Sequence, residues 1–164
     1  MEIRQIRAGD GLRNRDVRIR MLTDAPEAFG ATLVVALARP KESWHEQASE
    51  LASAAQRTLF VADDGERWQA VAGGILAEDN ASVEIIAVWV DPAYRGQGLA
   101  RALIGRVLDW GQAHGADRAL LWVHDRNAAA IGLYQHLGFT TTTERKALGT
   151  DGDRMQVLMT RTLP

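Results

Sequence analysis

From Val88 to Ile104 the chain reads VWVDPAYRGQGLARALI. Three apolar residues fit a strand, and Leu99 onward has helical spacing. The chain must therefore pass from strand to helix through a proline and two glycines. Glycines at such a junction bring backbone close to something. A helix starting near Gly98 leaves its first N–H groups unpaired, with the positive end of the helix dipole behind them. A pyrophosphate fits there, with Arg95 and Arg101 adding charge for its oxygens.

Two other phosphate loops fail on the residues. A Walker loop needs Gly-Lys-Ser/Thr after the glycines, and the chain lacks that triplet. A dinucleotide fingerprint starting at Gly96 would need a small residue where Arg101 stands, within a parallel βαβ unit. On the loop alone, a simple turn stays open as the alternative to an anion seat.

The flanking periods predict the rest. Ile3 and Ile6 suggest a first strand, Gly9-Asp10-Gly11 a break, and Leu12 to Leu22 a helix closed by Asp24-Ala25-Pro26. Glu27 to Ala38 fits either loop or short helix. Trp44, Ala48, Leu51 and Ala55 form one helical stripe after Pro40. Thr58 to Ala62, Trp68 to Ala77 and Ser82 to Val90 read as an antiparallel meander, with turns at Asp63-Asp64-Gly65 and Asp79-Asn80. A helix from Leu99 to His114 and a strand from Ala119 to Val123 follow. Asn127 caps another helix that ends at Gly138. Phe139 to Arg145 and Met155 to Thr160 close the chain as a hairpin about Thr150 to Asp153. The layout is a mixed α/β (α+β) arrangement, and 164 residues suffice for one domain over 1–164.

Composition narrows the chemistry. Nineteen Lys+Arg against 21 Asp+Glu give a net charge of −2, so bulk charge makes no case for nucleic acid or an anionic membrane. The absence of cysteine removes disulfides, a thiol nucleophile and thiolate metal sites. The four histidines lack metal-ligand spacing, so no metal is expected. The N-terminus lacks the apolar core of a signal peptide, and no apolar run approaches ~20 residues, so the expectation is a cytoplasmic protein.

Two motifs then carry a resemblance. RGQGLA, preceded by VWVDP and followed by ARALI, resembles the acetyl-CoA-binding motif of the GNAT superfamily of acetyltransferases, Arg/Gln-x-x-Gly-x-Gly/Ala. NAAAIGLYQHLGF, Asn127 to Phe139, resembles that family's Asn-x-x-Ala-x-x-x-Tyr-x-x-x-Gly-Phe segment. The resemblance covers most of the chain and is weakest before Thr58. It implies a mostly antiparallel sheet of about seven strands flanked by about four helices, with two parallel central strands splayed apart.

It also implies acetyl-CoA as cosubstrate. Backbone N–H groups of Gly96, Gln97, Gly98, Leu99, Ala100 and Arg101 would hold the pyrophosphate, beside Arg95. Val88, Trp89 and Val90 would pair with the pantetheine arm as another strand does, near Asn127. A backbone N–H near Val90 would serve the oxyanion of the tetrahedral intermediate, and Tyr134 would protonate the leaving thiolate. For the base, Glu84 lies on the strand entering the loop, where Ser82, Glu84, Ile86 and Val88 alternate onto one face. His124, just after the fifth strand, competes with it.

In the family's ribosomal-protein N-terminal acetyltransferases a glutamate base lies five residues before the asparagine, where this chain has Trp122. Tryptophan cannot take a proton, so it either walls an acceptor pocket or fills a core. Acceptor contacts are expected from Asp24 to Thr32, including Phe29, and from the hairpin tip, including Asp151. The leading reading is acetyl transfer to a small-molecule primary amine by direct attack. A protein N-terminus or lysine as acceptor, and a non-catalytic acyl-CoA-binding module, are the alternatives. An exposed strand edge offers a route to a homodimer.

Overall fold

The computed structural model describes residues 1–149 and 154–164. Asp151 and the rest of the predicted hairpin tip lie outside the described residues. In chain order the elements are β1 (Glu2–Gln5), α1 (Gly11–Asp24), α2 (Leu33–Ala38), α3 (Lys41–Ser53), β2 (Arg57–Asp63), β3 (Trp68–Leu76) and β4 (Ser82–Val90). They continue with α4 (Leu99–Ala113), β5 (Arg118–His124), α5 (Ala128–His136), β6 (Thr140–Ala147) and β7 (Met155–Thr162). Among the described residues the strands form one seven-stranded sheet in the order β1-β2-β3-β4-β5-β7-β6. Every neighbouring pair is antiparallel except β4 with β5.

The ambiguous stretch after Pro26 resolves into the short α2. The Thr32 side chain accepts the Val35 N–H at 3.3 Å to start it, and Pro40 stands two residues beyond its end. Ala55 lies beyond α3, which stops at Ser53. Asp63, expected in a turn, is the last residue of β2, and it is buried with Arg4 and Asp10. Arg4 bonds Asp10 at 2.7 Å and Asp63 at 2.6 Å, and Arg13 reaches Asp63 at 2.7 Å, so the buried charges are paired.

Alternation along the strands loads both faces of the sheet. On one, Leu103, Ile104 and Val107 of α4 and Tyr134 of α5 pack on Ala70, Ala72, Val83 and Ile85. On the other, Val17 and Met21 of α1 and Ala48 of α3 pack on Leu59, Val61 and Val71. Full burial of each large aliphatic side chain contributes about 1.5–3 kcal/mol. Helix α4 lies close because a Cβ at Gly111 would come within 2.7 Å of Val83 and one at Gly74 within 2.8 Å of Val107. Among the described residues no helix is long and apolar enough to cross a membrane.

Candidate active site

β4 and β5 pair only at Ser82↔Arg118, Val83↔Ala119 and Glu84↔Leu120. Beyond Glu84 the two strands part, while β5 stays paired with β7 as far as His124↔Gln156. From Ile86 onward one edge of β4 therefore carries main-chain groups that no strand completes, inside a sheet. The Asp91 N–H donates to the Gln69 carbonyl at 2.8 Å, so by strand alternation Asp91 and Trp89 turn toward β3, and Val88 and Val90 turn toward the gap.

The sequence alternation does not hold through this region. β3 and β4 change register between Val71↔Trp89 and Gly73↔Ile86, so Ala87 and Val88 together oppose Ala72. This is a β-bulge, and Ala87 has φ of 52°, a left-handed conformation costly for a residue with a Cβ. The bulge corrects the expected single face of Ser82, Glu84, Ile86 and Val88. Val88 and Val90 join the face of α4, whereas Ala87 and Trp89 join that of α1.

A cavity of about 570 Å³ occupies the gap. Val17 and Met21 of one sheet face line it, and so do Ala130 and Tyr134 of the other, so it passes through the sheet where the strands diverge. Of the expected site residues, Phe29, Glu84, Val88, Trp122, His124, Asn127 and Tyr134 all line this cavity.

Their environments differ. Tyr134 is 8% exposed, with its ring edge-on to Phe139 at 6.1 Å. Burial pushes its phenol up to about 12, so it keeps its proton at neutral pH. Glu84 is half-buried at the last position where β4 pairs with β5. His124 Nδ1 accepts the Arg126 N–H at 3.1 Å, which leaves the neutral ring with its proton on Nε2, presenting a donor. Asn127 Oδ1 caps α5 by accepting the Ala130 N–H at 3.1 Å. The Trp122 ring lies 4.2 Å from Lys146 Nζ, at the cavity wall.

The glycine loop follows directly on the open end of β4. Gly96 and Gly98 have φ of 77° and 80°, which favours glycine, and no atom lies within 4 Å of where a Cβ would stand. The first bond into α4 runs from the Ala102 N–H to the Gly98 carbonyl at 3.0 Å, so the N–H groups of Leu99, Ala100 and Arg101 have no helical acceptor. Arg95 is engaged by groups of the chain itself. Its guanidinium turns back to the Asp24 carboxylate and, through Nε at 3.1 Å, to the Val90 carbonyl. Trp89 also serves as an anchor, since its indole N–H bonds Asp24 and its peptide faces β3.

Residues 22–139 match the Acetyltransferase (GNAT) family. The chain belongs to this family. The GNAT chain is 36% identical over 121 residues to the mycothiol acetyltransferase of Beutenbergia cavernae, which covers 74% of this chain and 38% of that protein. It thus spans well under half the length of that relative. It is also 36% identical over 113 residues to the [Ribosomal protein bS18]-alanine N-acetyltransferase of Escherichia coli, 61% of this chain and 75% of the relative. The fold is shared with yncA of Salmonella typhimurium, solved with its cofactor acetyl-CoA. The TM-score is 0.78 at 21% identity, over 100% of this chain and 94% of that one.

Proposed function

We propose that the chain is an acetyl-CoA-dependent N-acetyltransferase acting on a small primary amine. The observation that carries this reading is the cavity passing through the sheet between β4 and β5, lined from both faces. One face can admit the acyl donor and the other the acceptor.

The residues fit the donor. The open loop at Gly96 and Gly98 and the unpaired N–H groups of Leu99 to Arg101 suit a pyrophosphate, with Arg101 as the exposed cation and Arg95 as the brace of the loop. Val88 and Val90 offer a strand edge to the amide-bearing pantetheine arm. When bound, acetyl-CoA supplies an activated acetyl thioester with a thiol leaving group.

The chain's own groups then divide the work. Glu84, directly or through water, takes the proton that the attacking amine must lose. The Val90 N–H, turned toward the gap, donates to the carbonyl oxygen as negative charge grows on it. Tyr134, still protonated, gives its proton to sulfur as the C–S bond breaks and the C–N bond forms.

A protein N-terminus as acceptor is favoured by the similarity to the Escherichia coli enzyme. Against it stands Trp122, at the place of that class's glutamate base. A thiol-release assay across small amines and peptides, with Tyr134→Phe alongside, tests these readings. Turnover of small amines supports the proposal, and a preference for peptides supports the second reading. Tight acetyl-CoA binding with no turnover of any acceptor would leave a binding module.

A further inference from the structure

The cavity has an excess of positive charge. Among the described residues its charged lining is Arg18, Arg39, Arg57 and Lys146 against Glu50 and Glu84. Two of these cations differ from the arginines around them. On the same helix as Arg18, Arg13 pairs with Asp63, and Arg20 pairs with Asp16 and Asp91. Arg18, half-buried between them, has no ion pair or hydrogen bond among the described residues, and its guanidinium rests over the Phe29 ring at 5.4 Å. Burial lowers its pKa, and the nearby charge of Arg39 lowers it further.

Arg39 is held by neutral groups. Ser43 Oγ accepts from its Nη2 at 2.8 Å and from its Nε at 3.0 Å, Gln47 Oε1 accepts at 3.4 Å, and the Trp44 ring lies 3.9 Å away. Gln47 in turn accepts from Asn14 of α1 at 3.0 Å, which ties that side chain to the helix carrying Arg18. Two guanidinium groups thus line the helix-side wall of the cavity, Arg39 held by hydrogen bonds and Arg18 over the Phe29 ring, and among the described residues neither is in an ion pair with a carboxylate. Partly desolvated cations of this kind are unfavourable until an anion completes them.

We propose that Arg18 and Arg39 form the carboxylate-binding end of the acceptor site, so that the acceptor is a primary amine bearing a carboxylate, of the amino-acid class. This rests on the acetyltransferase reading above. The planar fork of a guanidinium matches a carboxylate in two parallel bonds. Glu84, on the strand-side wall, supplies the opposite charge for the ammonium, and Phe29 and Trp122 flank the apolar body between them.

The test uses the full chain in two formats. Thiol release is followed with the proteinogenic amino acids, their carboxamides and the matching aminoalkylphosphonates. Calorimetry follows the N-acetyl amino acids and their amides binding to the coenzyme A-saturated protein. The acids should exceed the amides about tenfold or more in kcat/KM, and the N-acetyl acids should bind correspondingly tighter. Arg18→Gln should remove that advantage, raising KM for the acids about tenfold more than KM for the amides.

Equal use of acids and amides, a preference for phosphonates, or an Arg18→Gln loss shared by acids and amides would overturn the assignment. Acid preference in calorimetry without turnover would sink the acetyltransferase reading and leave the carboxylate site standing. Turnover of amines without acid preference would do the reverse, and the absence of both binding and turnover would overturn both.

Discussion

Trp89 donates its indole N–H to the Asp24 carboxylate at 2.8 Å, joining the end of α1 to the open end of β4. The same carboxylate receives Arg95 from the glycine loop, so one side chain fixes helix, strand and loop together. Asp24→Ala leaves the indole N–H of Trp89, a buried residue, without that partner, at a cost of about 1–3 kcal/mol in denaturant unfolding. It should also weaken acetyl-CoA binding several-fold in calorimetry. Asp24→Asn retains an acceptor for Trp89 but not the charge facing Arg95, so it should recover most of the stability and little of the affinity.

Tyr134→Phe keeps the ring against Phe139 and loses only the hydroxyl group, and with it the proton to be given. The expected result is an unchanged fold, unchanged acetyl-CoA affinity and a fall in kcat of about a hundredfold. A phenol at about 12 also predicts no wild-type loss of kcat from its ionisation through neutral and mildly alkaline pH. The sign for stability follows from the same value. Because the folded pKa lies above the unfolded one near 10, the unfolded chain loses this proton first. Stability should therefore fall as pH rises from about 10 toward 12, and Tyr134→Phe should remove that part of the decline.

Glu84 and His124 separate by substitution. Glu84→Gln keeps the shape and removes the proton acceptor, and should lower kcat/KM about a hundredfold near neutral pH. His124→Asn should cost less than tenfold, since the ring's free lone pair is already engaged by the Arg126 N–H. A kcat/KM profile in which His124→Asn abolishes the fall in activity at low pH while Glu84→Gln leaves it intact would reverse the assignment.

Gly98→Val meets open space, so no core clash follows. The left-handed φ of 80° makes the substitution strained by about 1–2 kcal/mol, and the side chain stands over the N–H groups that open α4. The domain should remain folded, with acetyl-CoA affinity reduced tenfold or more by titration. Unchanged affinity would remove this loop from the coenzyme site.

How much the sequence disclosed depended on whether the signal was local. The glycines at 96 and 98, the Asn127 cap and the periods of α1, α3, α4 and β2 to β5 depend on neighbours in the chain, and they could be read directly. The bulge at Ala87 could not, because alanine has no preference for φ of 52° and only pairing with β3 forces it. Arg18 was equally hidden. Its spacing on α1 resembles that of Arg13 and Arg20, and its lack of a carboxylate neighbour emerges only when α1, α2 and Arg39 pack around the cavity. The pairing of Arg95 with Asp24 was hidden for the same reason, because the two lie 71 positions apart.

The bare edge of β4 from Ile86 onward has a consequence for divergence. Its peptide groups are the same whichever side chains the strand carries, so substitution there is limited by packing on the two faces and hardly by the edge itself. A surface of that kind can persist while residue identity drifts, whereas Arg18 and Arg39 can change a cavity's preference through one codon each. The two walls of the gap therefore differ in what a single substitution can do: the main-chain edge keeps its groups whatever the residue, and the side-chain wall does not.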